Sequence, residues 1–320
     1  MQAGNRAEKD HDGFVFPAVS KLTIEVVYRL KGAGSEMGPR FLPIAWISLL
    51  FLAALSSAAD PPKVNPPAPE KVPVYQPKHY PFEGGERAIY KASWNGVPVA
   101  TAEIATASEM IGGKKFYSVR VETKTSPILD LFWKMRDTIT STIEAKALAP
   151  TRFTFSQREN QKVIDTEARF DRNSKRWFVH RDERSKVTKY DFDQPPNTID
   201  PVTAVYLARS QELKVGDHLY FNIFGGKYRY LLDLEVERRE KIQIASGTVD
   251  TFKIIPRIKN IMKEGYAERL NEASVWISAD ARRIPVMLSS RIFVGSIYIE
   301  RIEDRVGPQA AEGRRSGHPG

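Results

Sequence analysis

RAIYKASWNGVPVATAEIATA occupies residues 87–107. Apolar and β-branched side chains alternate with polar ones on both sides of Asn95-Gly96. That dipeptide suits a two-residue hairpin turn, because the central residues of such a turn need a left-handed backbone. The stretch therefore predicts two antiparallel strands. The same texture runs on through KFYSVRVETK (115–124), DTITSTIEA (137–145), TRFTFSQRE (151–159), KVIDTEARFD (162–171) and RWFVHR (176–181). It returns in HLYFNIFG (218–225), YRYLLDLEVERRE (228–240), KIQIAS (241–246), TVDTFKIIP (248–256), SVWISA (274–279), IPVMLSSRIF (284–293) and GSIYIERIE (295–303). Residues 82–306 thus read as one mainly β domain of about a dozen strands, a large curved antiparallel sheet or an incomplete barrel.

Two segments change period. SPILDLFWKMRD (126–137) spaces Ile128, Leu129, Leu131, Phe132 and Met135 along one helical stripe, with Trp133 beside them. IDPVTAVYLARSQEL (199–213) offers Asp200 as N-cap, Pro201 at the first helical position, and Val202, Val205, Tyr206, Leu207 and Leu213 as an apolar face. Two short helices are expected on or near the concave face of the sheet. Arg209 lies near the apolar face of the second; it is either a solvated end on a buried stem or an ion-pair partner for a neighbouring strand.

The ends differ from the middle. MGPRFLPIAWISLLFLAALSSAAD (37–60) has Arg40 before an uncharged apolar run and small residues ahead of Asp60, the order of a secretory signal peptide. The simplest account makes Met37 the true start and residues 1–36 a gene-model extension. The rival is an uncleaved inner-membrane anchor, since residues 41–59 carry no charge and could span a bilayer. Either way the rest of the chain is exported, and a periplasmic location is expected. DPPKVNPPAPEKVPVYQPKHYP (60–81) holds eight prolines, which favours an extended spacer that joins no sheet. Residues 307–320 are expected to be a disordered tail.

Composition narrows the function. The apolar and charged fractions, 42% and 27%, are those of a folded protein. A net charge of +9 is dispersed rather than gathered into a basic block with interleaved aromatics, which argues against nucleic acid. There is no cysteine, hence no disulfide, thiol catalysis or lipidated cysteine. His79, His180, His218 and His318 match no metal-ligand spacing, and no nucleophile elbow, phosphate loop or dinucleotide motif occurs, so neither metal nor cofactor is expected. Asp200 is best read as a cap and Asp280 as a turn residue in SADARR. Gly84, with Phe82, Gly85 and Glu86, brings the spacer into the first strand.

FEGGERAIYKASWNGVPVATAEI (82–104), DTITSTIEAKALAPTRF (137–153), DPVTAVYLARSQELKVGD (200–217) and VWISADARRIPVMLSSRIFVGSIYIERI (275–302) together resemble the DUF3108 family of exported bacterial proteins. The last block, with Trp276, Asp280, Arg283, Pro285 and Gly295, is the most specific. No catalytic residue can be carried over from that family. More distantly, the texture is similar to the curved, incompletely closed sheets of LolA/LolB-type envelope carriers, and the resemblance implies an apolar concave face that accepts acyl chains.

The expectation is a non-catalytic periplasmic protein that holds a lipid, a lipoprotein or another apolar ligand. Leu129, Leu131, Phe132, Trp133, Met135, Val205 and Tyr206 would line the cavity or its lid. The alternatives are a structural protein carried towards an envelope protein or peptidoglycan, and an enzyme acting on lipid or glycan. Oligomeric state is left open by the sequence.

Overall fold

The computed structural model describes residues 67–82, 85–171, 173–193, 197–261, 273–291 and 295–306. The segments read as extension, signal or anchor, the first part of the spacer, and tail lie outside the described residues, as does Gly84.

Among the described residues, fifteen strands form one sheet. The first eight are β1 (Glu86–Trp94), β2 (Val97–Ile111), β3 (Lys114–Thr125), β4 (Arg136–Glu144), β5 (Ala149–Glu159), β6 (Lys162–Asp171), β7 (Arg176–Glu183) and β8 (Lys186–Asp193). After the two-residue β9 (Thr198–Ile199) come β10 (His218–Phe224), β11 (Arg229–Ile244), β12 (Gly247–Asn260), β13 (Ala273–Ser278), β14 (Pro285–Arg291) and β15 (Ser296–Val306). The spatial order β8-β7-β6-β5-β4-β3-β2-β1-β15-β14-β13-β12-β11-β10-β9 means two meanders joined back to back, with the first strand against the last. Every pairing is antiparallel except β9 with β10. The expected hairpin turn at Asn95-Gly96 is present, both residues having positive φ (46° and 83°).

Alternation sets the two faces. In β3, Tyr117, Val119, Val121, Thr123 and Thr125 are buried and the residues between them are more exposed; β4 and β5 follow suit with Ile139, Ser141 and Ile143, then Phe153, Phe155, Gln157 and Glu159. The apolar ones among them share one core with Leu219, Phe221, Ile223, Leu232, Phe252 and Ile254 of the other meander. The sheet therefore curls round on itself. A second, small cluster of Ile244, Trp276, Ile284 and Val286 is built where the β11–β12 hairpin reaches past its pairing with β13.

The helices differ from expectation in length. α1 is a single turn, Pro127–Asp130, rather than a helix over 126–137. Ser126 caps it through the Leu129 amide, but the sheet takes the backbone back: Met135 bridges Glu159, and its amide and carbonyl bond to the Thr125 hydroxyl and amide. α2 spans Pro201–Arg209, and all of its residues except Val205 are buried.

Residues 67–82, which include the end of the segment read as an extended spacer, form no strand and lie against the domain. Their carbonyls are taken by domain side chains: Asn222 donates to Pro69, Asn197 to Val72 and Gln211 to Gln76. The amides of Lys78 and His79 both donate to the Ser210 carbonyl at the end of α2. Proline removes donors a ladder would need but leaves the backbone carbonyls as acceptors, so the strap docks through domain side chains and through the two amides that reach Ser210.

Candidate functional site

The interior is organised by α2. Asp200, fully buried, accepts from the Val202 and Thr203 amides (2.9 and 3.0 Å), from the Thr203 hydroxyl (2.6 Å) and from Ser141 Oγ of β4 (2.8 Å). Burial pushes its carboxyl above the usual range, while these four donors pull it back. One turn on, the Tyr206 hydroxyl meets Thr106 Oγ1 of β2 at 2.5 Å; burial lifts this phenol to about 12. At the other end Arg209 pairs with Glu86 of β1 at 3.1 Å and donates to the Arg282 carbonyl. The ion-pair reading of Arg209 therefore holds. Its guanidinium stands 5.3 Å from the Phe82 ring and 5.2 Å from that of Tyr206. Helix, strap and three strands are thereby held by polar contacts inside an apolar core.

The interior is different where the sheet stops. Strand register places Phe170 of β6, Trp177 of β7 and Phe192 of β8 directly opposite one another, with Ala168, Val179 and Tyr190 as the next row. Across the gap from these strands stands Phe224 of β10, its ring 5.9 Å from Trp177 and 5.0 Å from Phe192. The Tyr190 hydroxyl points to the Gly226 carbonyl at 3.5 Å, and the Arg229 guanidinium lies 5.4 Å from the Phe192 ring. Gly226, at φ +89°, lets the β10–β11 turn pass close to Phe153 and Thr166. Trp177 is wholly buried, and its indole Nε1 has no hydrogen-bond acceptor among the described residues. An indole N–H normally finds a partner when buried; leaving one unmet costs about 1–3 kcal/mol. The seam is thus a packed aromatic cluster with one donor unanswered among the described residues.

The residues named from sequence as cavity or lid fall into two places. Val205 and Tyr206 are on α2, Val205 half-buried and Tyr206 buried. Leu129, Leu131, Phe132, Trp133 and Met135 belong to the β3–β4 connection. Leu129 and Met135 are buried, Phe132 and Trp133 half-buried, and Leu131 is 79% exposed. Lys124 and Arg136, the last β3–β4 pair, lie five residues from the level of Ser141, which is ~17 Å along the strands. The α1 segment therefore caps one rim of the sheet, well away from the level at which Asp200 starts α2.

The sequence reading missed the seam aromatics. Their signal was available in the alternation of Trp177 with Val179 and of Tyr190 with Phe192, but only the register shows that they face Phe224. Two other polar groupings are paired within themselves. An open surface hollow contains Arg239 with Asp250 and Arg282 with Asp280, each cation on its own carboxylate. His218 Nδ1 lies 2.8 Å from Asp233, whose other oxygen faces Arg257, and burial raises the Asp233 carboxyl. Among the described residues no group of three His, Asp or Glu side chains could hold a metal ion, and no helix is long and apolar enough to cross a membrane.

Residues 89–301 match the family described as protein of unknown function DUF3108. The chain belongs to that family. None of the curated proteins matches it. Among solved structures, the DUF3108 chain is similar to a β-barrel-like protein of domain of unknown function DUF1849 from Brucella abortus. That likeness has 11% identity and a TM-score of 0.45, covering 68% of this chain and 96% of the other. It is also similar to a candidate lipoprotein from Parabacteroides distasonis, with 12% identity and a TM-score of 0.33, over 73% and 100% of the two chains.

The block that most resembles DUF3108 proteins performs structural work in this member. Trp276 donates Nε1 to Glu240 at 2.8 Å on the small outer cluster. Asp280 is the turn residue expected, accepting from Ser278 Oγ and the Arg282 amide. Pro285 opens β14, and its carbonyl receives the buried Tyr90 hydroxyl at 2.8 Å. Gly295 turns at φ +83° beside Asn95.

Proposed function

We propose that this DUF3108 protein is a non-catalytic component of the bacterial envelope that holds an amphiphilic, mainly apolar ligand at the aromatic seam. One observation carries the reading: Trp177 is wholly buried among aromatic rings at the place where the sheet fails to close, and its donor has no acceptor among the described residues. A seam closed by side chains alone can open without breaking a backbone ladder. An acyl chain or flat apolar body laid between Phe192 and Phe224 would gain about 0.8 kcal/mol per buried CH₂, and a carbonyl or carboxylate at its end would answer the indole N–H. Because α2 is buried in the core, the ligand is placed at the seam rather than against that helix. Export rests on the signal-like segment at 37–59, with the periplasm as the compartment.

Native mass spectrometry of the full chain purified from an envelope fraction, followed by displacement of the fluorescent fatty acid cis-parinaric acid, tests the proposal. Saturable binding should weaken at least several-fold in Trp177→Phe, which keeps an aromatic ring and removes the donor. A wild-type protein that arrives without ligand and binds no probe defeats it.

A second reading has its own support. The burial of α2 and the docking of residues 67–82 make the described domain well filled, as a structural or interaction protein of the envelope would be. Crosslinking to an envelope protein or to peptidoglycan, with no ligand bound, would favour it.

A further inference from the structure

The β2–β3 hairpin ends in Glu109-Met110-Ile111-Gly112-Gly113-Lys114-Lys115, and it overhangs its neighbours. Among the described residues β1 pairs with β2 up to Ala105, the Gly85 amide adding a bond to the Thr106 carbonyl, and β4 pairs with β3 from Phe116 onward. Met110 and Ile111 are 66% and 50% exposed. Consecutive strand residues point to opposite faces, so each face of the tip carries one of them. Directly across the hairpin, Met110 faces Lys115 and Ile111 faces Lys114. The Ala145 amide bonds the Lys115 carbonyl, which brings exposed Lys146 to the same end, and Tyr80, itself 45% exposed, donates to the Lys146 carbonyl at 2.6 Å. Three lysines thus meet one exposed carboxylate, Glu109.

We propose that this hairpin tip, with Lys146 and Tyr80 beside it, seats the domain on an anionic lipid surface. A protein partner would cover one face of the hairpin; a lipid interface surrounds the tip and takes the apolar residue on each face at once. Lysine stems suit that position because they lie along the apolar side chain while the ammonium reaches the headgroups, and a tyrosine at headgroup level is the usual companion. The contact is independent of any ligand at the seam.

The chain contains no cysteine, so Ile111→Cys gives a unique attachment point for a nitrobenzoxadiazole dye, and Ser246→Cys at the β11–β12 turn gives a comparison site. The full chain is mixed with vesicles rich in phosphatidylglycerol or made of phosphatidylcholine alone. Dye at residue 111 should shift to the blue and become shielded from iodide with phosphatidylglycerol only, while dye at residue 246 stays aqueous. Lys114→Glu with Lys115→Glu should reduce the shielded fraction about tenfold or more, and Met110→Asp should abolish shielding. Residues 41–59 could bring the chain to either vesicle, but they would leave the tip dye in water, so the readout is specific to the tip. An aqueous dye at 111 with phosphatidylglycerol overturns the proposal. So does equal shielding by both lipids, a parallel change at 246, or a concentration-dependent shift without lipid, which would assign the tip to contact between copies.

Discussion

Arg209 at the end of α2 and Glu86 at the start of β1 are joined by a salt bridge of 3.1 Å across 123 residues of sequence, and the arginine side chain is only 3% exposed. The pair fixes the helix against the strand where the two meanders meet. Replacing Arg209 by Ala strips the Glu86 carboxylate of its partner and leaves a void beside the Phe82 and Tyr206 rings. A loss of about 3–5 kcal/mol in urea unfolding is expected. Arg209→Lys should rescue only in part, because an ammonium cannot both pair with Glu86 and lie flat against two rings. Equal stability of Lys and Arg variants would show that charge alone matters.

Phe82 joins the strap to the core. Its ring meets Tyr206 at 4.6 Å and Tyr117 at 5.4 Å, both edge-on, and it is almost wholly buried. Phe82→Ala should cost about 3–5 kcal/mol and free residues 67–82. The second effect separates it from an ordinary core deletion: limited proteolysis should cut within 67–82 before global unfolding begins. Cleavage that merely tracks the melting curve would mean the strap is held by Asn222, Asn197 and Gln211 without the ring.

Much of this architecture was legible because it is local. Strand texture, the Asn95-Gly96 turn, the Asp200-Pro201 helix start and the Asp280 turn depend on residues a few positions apart, and each appears as expected. The extent of α1 did not, since the periodicity of 126–137 cannot reveal that Thr125 and Glu159 claim the backbone of Met135. The strap was missed for a related reason: proline density forbids ladder bonding but says nothing about carbonyls accepted by Asn222 or Gln211. The seam is the least local feature of all. Trp177 and Phe224 are neighbours only because the eight strands β1–β8 and the seven strands β9–β15 bring their outer edges together.

Glu159 provides a test by pH. It is buried on the inner face of β5, and desolvation, aided by the nearby Asp137 charge, holds its carboxyl above the ordinary range despite Lys162. A folded-state value above the unfolded one means that the folded protein takes up the proton first on acidification. Its stabilising contribution is therefore complete below the unfolded value and is lost as pH rises through the folded one. Glu159→Gln removes that contribution. Relative to the variant, the wild type should gain stability as pH falls from neutrality through the raised value, then level off near the ordinary carboxyl range. Parallel stability curves for the two proteins would contradict the assignment.

Gly295 and Asn95 offer a double-mutant test of the β1–β15 junction. Gly295 sits at φ +83°, and a Cβ there would stand 2.2 Å from Asn95 Oδ1, the same oxygen that accepts the Ser296 amide at 2.9 Å. Gly295→Ala therefore imposes both backbone strain and a clash, and should cost about 1–3 kcal/mol in thermal or urea unfolding. Asn95→Gly loses the bond to Ser296 but keeps a residue at ease with the left-handed turn, so its cost should be about 1 kcal/mol. Combining the two removes the clash, leaving only the strain and the lost bond. The double variant should accordingly be more stable than the sum of the single losses predicts, by about 0.5 kcal/mol or more. Strict additivity would mean that the Asn95 side chain simply swings aside, and that the glycine is required for its backbone angle alone.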